Sequence, residues 1–269
     1  NAFWSQESKR LLTEANDLSQ MCGTSKDLST CTKVREPAEV SVQVSGDLFK
    51  SLKRRCAEVG ATLSTTVQFA LHKLIQAYTQ DGTTIVGTTV SGRDLPVAGI
   101  ENTVALLINT LPLGVQWPGE ASVFHVMDTL QTSVAQLGKF SGANLTELQR
   151  SGQRLFHILY VHQLCSESSQ APPASSIAAR SKQVELIEKT DYPLTVLSFE
   201  HEGSAEVRLK YDHSVMDAGR AEAWTTQLLR ILEWLAEHEW NQPHEQIAML
   251  NQQERDIVLR QWNNSPNVS

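Results

Sequence analysis

The sequence predicts a mixed α/β fold in which one sheet is covered by helices. Two kinds of apolar pattern alternate along its 269 residues. Some segments place apolar residues every three or four positions, as helices with one buried face do, whereas others alternate strictly or are dense in β-branched residues, as strands are. The predicted order is β-α-α-β-β-α, then a hairpin and a long helix. This order lacks the regular βαβ repeat of a doubly wound sheet.

The first predicted elements are a short helix and a loop. Leu11 and Leu12 lie among charged residues, which indicates a helix over residues 3–15. Residues 16–37 are polar and aperiodic and end at Pro37, which favours an extended backbone before it. We therefore expect a loop there.

A strand and two helices follow. Val40, Val42 and Val44 alternate with polar residues, the pattern of a half-buried strand. The next helix begins near residue 48 and ends at Gly60, because glycine commonly ends a helix. Residues 62–78 carry apolar side chains at helical spacing, so this segment should bury one face.

The middle of the chain predicts two strands and one helix. Residues 84–90 are too dense in β-branched side chains for a helix. Residues 106–113 form the second strand, and Pro112 places it at the edge of the sheet or at a strand exit, because proline cannot donate to a neighbouring strand. Apolar residues again step by three and four over residues 123–137.

The last third of the chain predicts a hairpin and a helix. Residues 165–182 are rich in Ser, Pro and Ala and indicate a flexible loop. The runs 194–199 and 205–211 are joined across a Glu-Gly turn, which is typical of an antiparallel hairpin. The segment 221–237 has a buried helical face that contains tryptophan and leucine side chains.

Composition excludes several classes of function. The net charge is −7 and no basic run is interleaved with aromatic residues, so nucleic acid is not an expected partner. The longest apolar stretch, near residues 104–108, is far shorter than the roughly 20 residues that span a bilayer. The first residues lack the pattern of a signal peptide, and we expect them to lie in the middle of a longer chain. The four cysteines are widely spaced, which favours free thiols in a reducing cytoplasm over a metal site.

One string could carry chemistry on its own. It contains His213 and Asp217 and lies where the hairpin ends and the last helix begins. A histidine at a strand exit can act as a general base, and an aspartate four residues later can hold the loop. The simpler interpretation is that Asp217 is the N-cap of the helix and His213 is a polar turn residue.

Two linked motifs resemble the condensation domains of nonribosomal peptide synthetases. Residues 78–93 end in a string similar to the family's V-G-x-x-x-S-G-R, and residues 100–113 are similar to its I-G-x-F-V-N-T-x-P-x-R signature. Residues 191–195 and 209–211 resemble the family's hairpin, and residues 250–263 resemble the linker into an adenylation domain. The resemblance covers nearly the whole chain.

The resemblance implies a chloramphenicol acetyltransferase-like two-layer sandwich, present as one lobe of a two-lobe domain. The family's H-H-x-x-x-D-G motif, which holds the catalytic histidine, belongs to the N-terminal lobe, and this sequence contains no H-H pair. We therefore expect residues 1–245 to form the C-terminal lobe and residues 246–269 to lead toward an adenylation domain. The isolated chain should be inactive and should bind no metal.

Family membership also implies the reaction and the partners. Peptidyl carrier proteins deliver two substrates as phosphopantetheine thioesters, and the domain joins them through an amide bond. The expected partners are the N-terminal condensation lobe, the carrier proteins and the downstream adenylation domain, and phosphopantetheine arrives on the carriers rather than being bound by this chain itself. This lobe would form one wall and the roof of the cleft.

Within the lobe, we expect Ser91, Gly92 and Arg93 to begin a loop that spans the cleft, and Asn109 to face the substrate tunnel. Two alternatives remain open. The string around His213 resembles the D-H-R-x-x-D-G motif of dihydrolipoyl and chloramphenicol acyltransferases, so the chain could be a self-contained trimeric acyltransferase that uses CoA or a lipoyl thiol, with His213 and Asp217 at its site. It could also be a lobe without catalytic activity that docks carrier proteins.

Overall fold

A computed structural model describes residue 11 and the ranges 16–31, 33–92, 99–104, 107–139, 141–145, 149, 154–165 and 191–249. Six strands form one sheet within these residues: β1 (Pro37–Ser45), β2 (Thr83–Ser91), β3 (Ile108–Gln116), β4 (Ile158–Leu164), β5 (Leu194–His201) and β6 (Ser204–Asp212). The helices are α1 (Ser19–Cys22), α2 (Gly46–Val59), α3 (Leu63–Thr79), α4 (Val123–Lys139) and α5 (Ala218–Glu237). Short 3-10 turns occupy Leu28–Thr30, Ile100–Asn102 and His244–Gln246.

The sheet is mixed, with the strand order β1-β6-β5-β4-β2-β3. Strand β4 pairs in parallel with both β2 and β5, and the other neighbours pair antiparallel. The carboxyl ends of β2, β4 and β5 therefore meet at one end of the sheet. Strand β6 runs the other way, so its carboxyl end lies at the opposite end.

The helices pack on one face of the sheet and on each other, in the order α2, α5, α3 and α4. Trp224, Leu228 and Leu235 lie on the fully buried face of α5, as the helical spacing predicts. The opposite face of the sheet carries a smaller cluster that contains Ile85 and Phe156. This arrangement confirms the predicted mixed α/β fold with a sheet covered by helices.

Local predictions are confirmed with three corrections. Strand β3 lies at the edge of the sheet, as Pro112 predicts, but it begins two residues later than expected, because its pairing with β2 runs from Ile108 to Gln116. The segment 16–37 is not wholly a loop, since it contains α1 and a 3-10 turn. The predicted order also lacks strand β4. The predicted helix over 3–15, apart from Leu11, and the predicted loop beyond Cys165 lie outside the described residues.

A polar group is built into the layer between α3 and the sheet. His72 on α3 is fully buried, and its Nδ1 lies 2.8 Å from Oγ1 of Thr84 on β2. The indole nitrogen of Trp117 donates to the same oxygen at 2.9 Å. Burial lowers the pKa of His72 to about 3, although a hydrogen bond with the backbone of Thr84 acts in the opposite direction.

This burial predicts a loss of stability in mild acid. In the unfolded chain, His72 binds a proton below about pH 6.5, whereas in the folded chain it stays neutral down to about pH 3. Acid therefore favours the unfolded state across this window, by about 2 kcal/mol at pH 5. Denaturant unfolding measures the free energy of unfolding at pH 7 and at pH 5. The stability lost between these two pH values should be smaller by about 2 kcal/mol in His72→Asn than in the wild type. His125→Asn, which changes an exposed histidine on α4, should leave it unchanged, and equal pH dependence of wild type and His72→Asn would contradict the prediction.

Candidate functional site

The structure separates the residues that the sequence singled out into two groups at opposite ends of the sheet. Ser91 pairs with Ile108 at the carboxyl end of β2. His213 follows Asp212, which ends β6 at the other end. Counted through the strand register, the two ends are about six residues apart, or roughly 20 Å along the strands. Among the described residues, the two groups are therefore too far apart to form one site.

The first group surrounds the exit of β2. Ser91 is exposed, and the amide of Gly92 donates to the carbonyl of Leu107 at 2.9 Å. A Cβ atom at position 92 would lie 2.6 Å from that carbonyl oxygen, so a glycine is required for the two backbones to approach so closely. Arg93 lies outside the described residues.

Asn109 is half-buried on β3, and its side chain is fully engaged. Its amide nitrogen donates to the carbonyls of Ser141 and Ala143, each at 2.7 Å. Its Oδ1 accepts from the amide of Thr110 at 2.8 Å. Asn109 therefore anchors the segment that follows α4, and its expected position facing a substrate tunnel stays a prediction.

Asn109 lies in a row of polar side chains that crosses the sheet on its helix-covered face. Asn109 pairs with Val90, and the register of β2 and β4 places Val90 beside His162. His162 in turn pairs with Ser198 on β5. We call Asn109, His162 and Ser198 the polar row. Two strand spacings place the backbones of Asn109 and His162 about 10 Å apart.

His162 and Ser198 belong to a connected hydrogen-bond network. The hydroxyl of Tyr160 donates to the carbonyl of Ser64 at 2.9 Å, and it also lies 2.9 Å from the Ser198 hydroxyl. Because the tyrosine proton is used, Ser198 donates to Tyr160, and Nδ1 of His162 donates to Ser198 across 2.7 Å. The Nε2 atom of neutral His162 then carries a lone pair.

This nitrogen faces a carboxylate. It lies 3.9 Å from Oε2 of Glu200, whose other oxygen accepts from Lys53 at 2.7 Å. Burial lowers the pKa of His162, Glu200 raises it, and Lys53 lowers it again. The net lowering keeps the imidazole neutral at pH 7, so its Nε2 atom can accept a proton. The side chain is 18% exposed, so part of the imidazole ring is within reach of solvent or a ligand.

Sequence reasoning missed this network. His162 is a lone histidine in a short strand-like run, and lone histidines on such runs are more often packed than functional. The other members of the network lie on separate elements: Lys53 on α2, Ser64 on α3 and Ser198 on β5. No spacing along the chain could have joined them.

The second group, His213 and Asp217, surrounds the exit of β6. The buried carboxylate at this position is that of Asp212. Asp212 is 2% exposed, and its carboxylate accepts from the backbone amides of Arg35 at 2.8 Å, Ser214 at 2.9 Å and Glu36 at 3.3 Å. Burial raises the pKa of this carboxyl, but these hydrogen bonds outweigh burial and the net shift is downward. Asp212 therefore fastens the entry of β1 to the exit of β6.

His213 and Asp217 take ordinary structural positions. His213 is exposed, and its amide donates to the carbonyl of Glu36 at 2.7 Å. Asp217 is the N-cap of α5, because its Oδ1 accepts from the amide of Arg220 at 2.9 Å. Its Oδ2 lies 3.8 Å from the guanidinium of the same arginine. Both carboxylate oxygens of Asp217 therefore lie close to Arg220 in the first turn of α5.

Comparisons with known proteins agree on one family. The sequence model of the condensation domain family matches residues 1–259. The chain is 29% identical over 230 residues to one of the linear gramicidin synthase proteins of Brevibacillus parabrevis, an alignment that covers 84% of this chain and 4% of that protein. It is 37% identical over 183 residues to N-(5-amino-5-carboxypentanoyl)-L-cysteinyl-D-valine synthase of Amycolatopsis lactamdurans, which covers 65% of this chain and 5% of that protein.

Solved structures show the same fold. The X-domain from teicoplanin biosynthesis superposes with a TM-score of 0.68 at 17% identity, over 93% of this chain and 61% of that one. The first condensation domain of the calcium-dependent antibiotic synthetase, in complex with a substrate analogue, gives 0.68 at 15% identity, over 93% of this chain and 53% of that one. This chain therefore spans little more than half of such a domain.

The fold and the matches define the class of this protein, a chloramphenicol acetyltransferase-like domain of the kind found in nonribosomal peptide synthetases. The chain belongs to the condensation domain family. Its relatives include synthetases named for gramicidin and bacitracin. In the part of the chain that the structure describes, no helix is both long enough and apolar enough to cross a membrane.

Proposed function

We propose that this chain is the C-terminal lobe of a two-lobe condensation domain. The observation that carries the proposal is its extent: the chain aligns over 93% of its own length with 53% of a solved condensation domain. The absence of any H-H pair from the sequence agrees, because the catalytic histidine motif then belongs to the other lobe. Alone, the chain would not catalyse condensation.

In the complete domain, the reaction forms an amide. The amine of an acceptor held on one carrier protein attacks the thioester carbonyl of a donor held on a second carrier. The C–S bond breaks, the phosphopantetheine thiol leaves, and the amine loses its proton. Because both reactants are tethered, much of the rate enhancement comes from holding them in register. This lobe supplies a wall and the roof of the cleft, and residues 246–269 lead toward the adenylation domain.

We place the cleft at the carboxyl end of β2, where Ser91 and Gly92 begin a loop and the polar row lies close by. Asn109 acts there as a positioning residue, since it holds the backbone after α4 through two hydrogen bonds. His162 offers a neutral imidazole in the same row. Both residues lie on paired strands, so the strand register determines the positions of their backbones.

Asn109→Ala in the complete synthetase is expected to slow amide formation by about ten- to a hundredfold, because a displacement of about 1 Å in a positioning segment can lower a rate by that much. The measurement is the rate of product formation on the acceptor carrier, with thermal unfolding as a check on the fold. Gln116→Ala is the matched control, since it changes an exposed residue at the other end of the same strand. Turnover equal to wild type in Asn109→Ala would contradict the assignment.

The same assay tests the two alternatives. A self-contained acyltransferase needs His213, so His213→Ala would abolish its activity and the protein would be a homotrimer. We expect no change in activity from that variant, because Asp217 is committed to Arg220 and His213 is exposed. A docking lobe without a catalytic contribution would bind carriers normally and show no effect of Asn109→Ala on the rate.

A further inference from the structure

A lysine is buried where α3 meets the chain that follows α5. Lys73 is 5% exposed. Its Nζ donates to Oε1 of Gln76 at 2.9 Å and lies 3.3 Å from Nδ1 of His244. It also lies over the ring of Trp117, 5.5 Å from the centroid. Within the described residues it forms no ion pair with a carboxylate, which is unusual for a buried lysine.

His244 is oriented as a base toward this amine. Its Nε2 lies 3.0 Å from the carbonyl of Pro118, an acceptor, so Nε2 carries the proton of the neutral ring. The lone pair of Nδ1 then faces Nζ of Lys73. Trp117 and the imidazole pack edge to face, with ring centroids 5.1 Å apart, which holds the imidazole in its orientation. A nucleophile beside a base that a third group orients is the arrangement used in covalent catalysis.

Electrostatics favour the reactive form of the amine. Burial lowers the pKa of Lys73 to about 8, opposed only in part by Glu245. Burial also lowers the pKa of His244, and neighbouring Lys73 lowers it further, while the hydrogen bond to Pro118 and the charge of Glu245 raise it. Among the described residues, His244 and Glu245 are the titratable groups that act on the amine. With a pKa of about 8, about a tenth of Lys73 is unprotonated at pH 7 and about half at pH 8, far more than of a lysine with the ordinary value.

Lys73 also lines a cavity. A cavity of about 670 Å³ is lined by Lys73, Gln76 and Gln80 of α3 and its C-terminal end and by Glu245, Ile247 and Met249 after α5. Its size lies in the range of pockets that hold a small organic ligand, such as a short acyl thioester. Arg230 of α5 donates to the carbonyl of Met249 at 3.1 Å and so holds the far wall.

We propose that Lys73 is an acyl acceptor, whose amine takes an acyl group from a thioester that enters this cavity, with His244 as the base. The lone pair of Nζ attacks the thioester carbonyl and a C–N bond forms. The C–S bond then breaks, and the thiolate leaves. The proton released by nitrogen passes through Nδ1 of His244 to the sulfur, so no oxidant or reductant is needed. The product is a neutral amide on Lys73.

The test uses a small thioester, the acetyl thioester of N-acetylcysteamine, so it does not depend on the proposed function. The full-length protein is incubated with it between pH 6 and pH 10, and acetylation at each lysine is measured by peptide mass spectrometry. At pH 8 we expect Lys73 to react at least about tenfold faster than Lys50, whose 78% exposed side chain is the control for simple accessibility. The rate at Lys73 should level off above pH 8 to 9, because the pKa of its amine is about 8.

Two variants separate chemistry from exposure. Lys73→Arg keeps the positive charge over Trp117 and should lose the modification at this position. His244→Asn removes the base and should slow acetylation of Lys73 by about tenfold without affecting Lys50. Should either variant fail to fold, the wild-type pH series still decides, because acetylation of Lys50 without Lys73 at pH 8 overturns the proposal. Amide formation by Lys73→Arg is measured in a separate assay. A negative result in the acetylation assay therefore contradicts only the role of Lys73, and not the proposed function of the domain.

Discussion

Replacing Asp212 with alanine is expected to destabilise the fold by about 3–5 kcal/mol, a large effect for one side chain. The carboxylate is buried and accepts from the backbone amides of three residues on two segments that are distant in sequence. Removing it leaves buried amides without their acceptor, and a hydrogen bond to a charged group contributes about 1.5–3 kcal/mol. Denaturant unfolding at pH 7 gives the free energy directly.

Asp217→Ala is the matched control, since it removes the same side chain five residues later. Asp217 is exposed and caps one helix, so its loss should cost about 1 kcal/mol. The pH dependence has a defined sign: the pKa of Asp212 is lowered in the folded state, so its contribution is present at neutral pH and is lost as pH falls through that lowered value. Equal destabilisation by the two variants would contradict the role given to Asp212.

Gly87→Ala is expected to destabilise the protein by about 3 kcal/mol, because the added methyl group enters occupied space. A Cβ atom at position 87 would lie 2.0 Å from Cε2 of the Phe156 ring. Phe156 is 2% exposed and stacks on Tyr192, with ring centroids 5.1 Å apart, so it cannot swing away freely. Either the ring or strand β2 must shift.

Gly82→Ala, just before the same strand, is the control. Apart from its two chain neighbours, no atom of the described residues lies within 4 Å of a Cβ atom there, so we expect a change within about 0.5 kcal/mol. The double variant Gly87→Ala with Phe156→Leu should recover part of the loss relative to the sum of the single changes, because the two residues are in contact. Thermal unfolding of wild type, the two single variants and the double variant measures this coupling. Strict additivity would show that the ring does not cause the effect.

Two glycines explain why the resemblance to V-G-x-x-x-S-G-R is informative. Gly87 makes room for an aromatic ring on one face of the sheet, and Gly92 lets β2 approach the carbonyl of Leu107. Both are steric requirements of single positions, so they are visible in the sequence. Pro112 is comparable, because its missing amide hydrogen restricts β3 to the edge of the sheet.

The candidate site was predicted only in part. Asn109 and the Ser91–Gly92 pair were identified from motifs, but His162 was not, since its partners Ser198 and Glu200 come from a different strand. Asp217 and His213 attracted attention through their spacing, whereas the buried carboxylate is Asp212. Burial depends on what packs over a residue, and short sequence patterns do not record it.

By itself, the sequence determined the family and most of the local elements, though not strand β4 or helix α1, because periodicity, caps and special backbone positions are set by near neighbours along the chain. Only the tertiary structure decided the strand order, and with it the separation of Ser91 and His213 to opposite ends of the sheet. It also decided which titratable groups are perturbed, since the lowered pKa values of His72 and Lys73 arise from burial by elements far away in sequence. Such effects depend on distance in space and on exclusion of water, which appear only once the layers are packed.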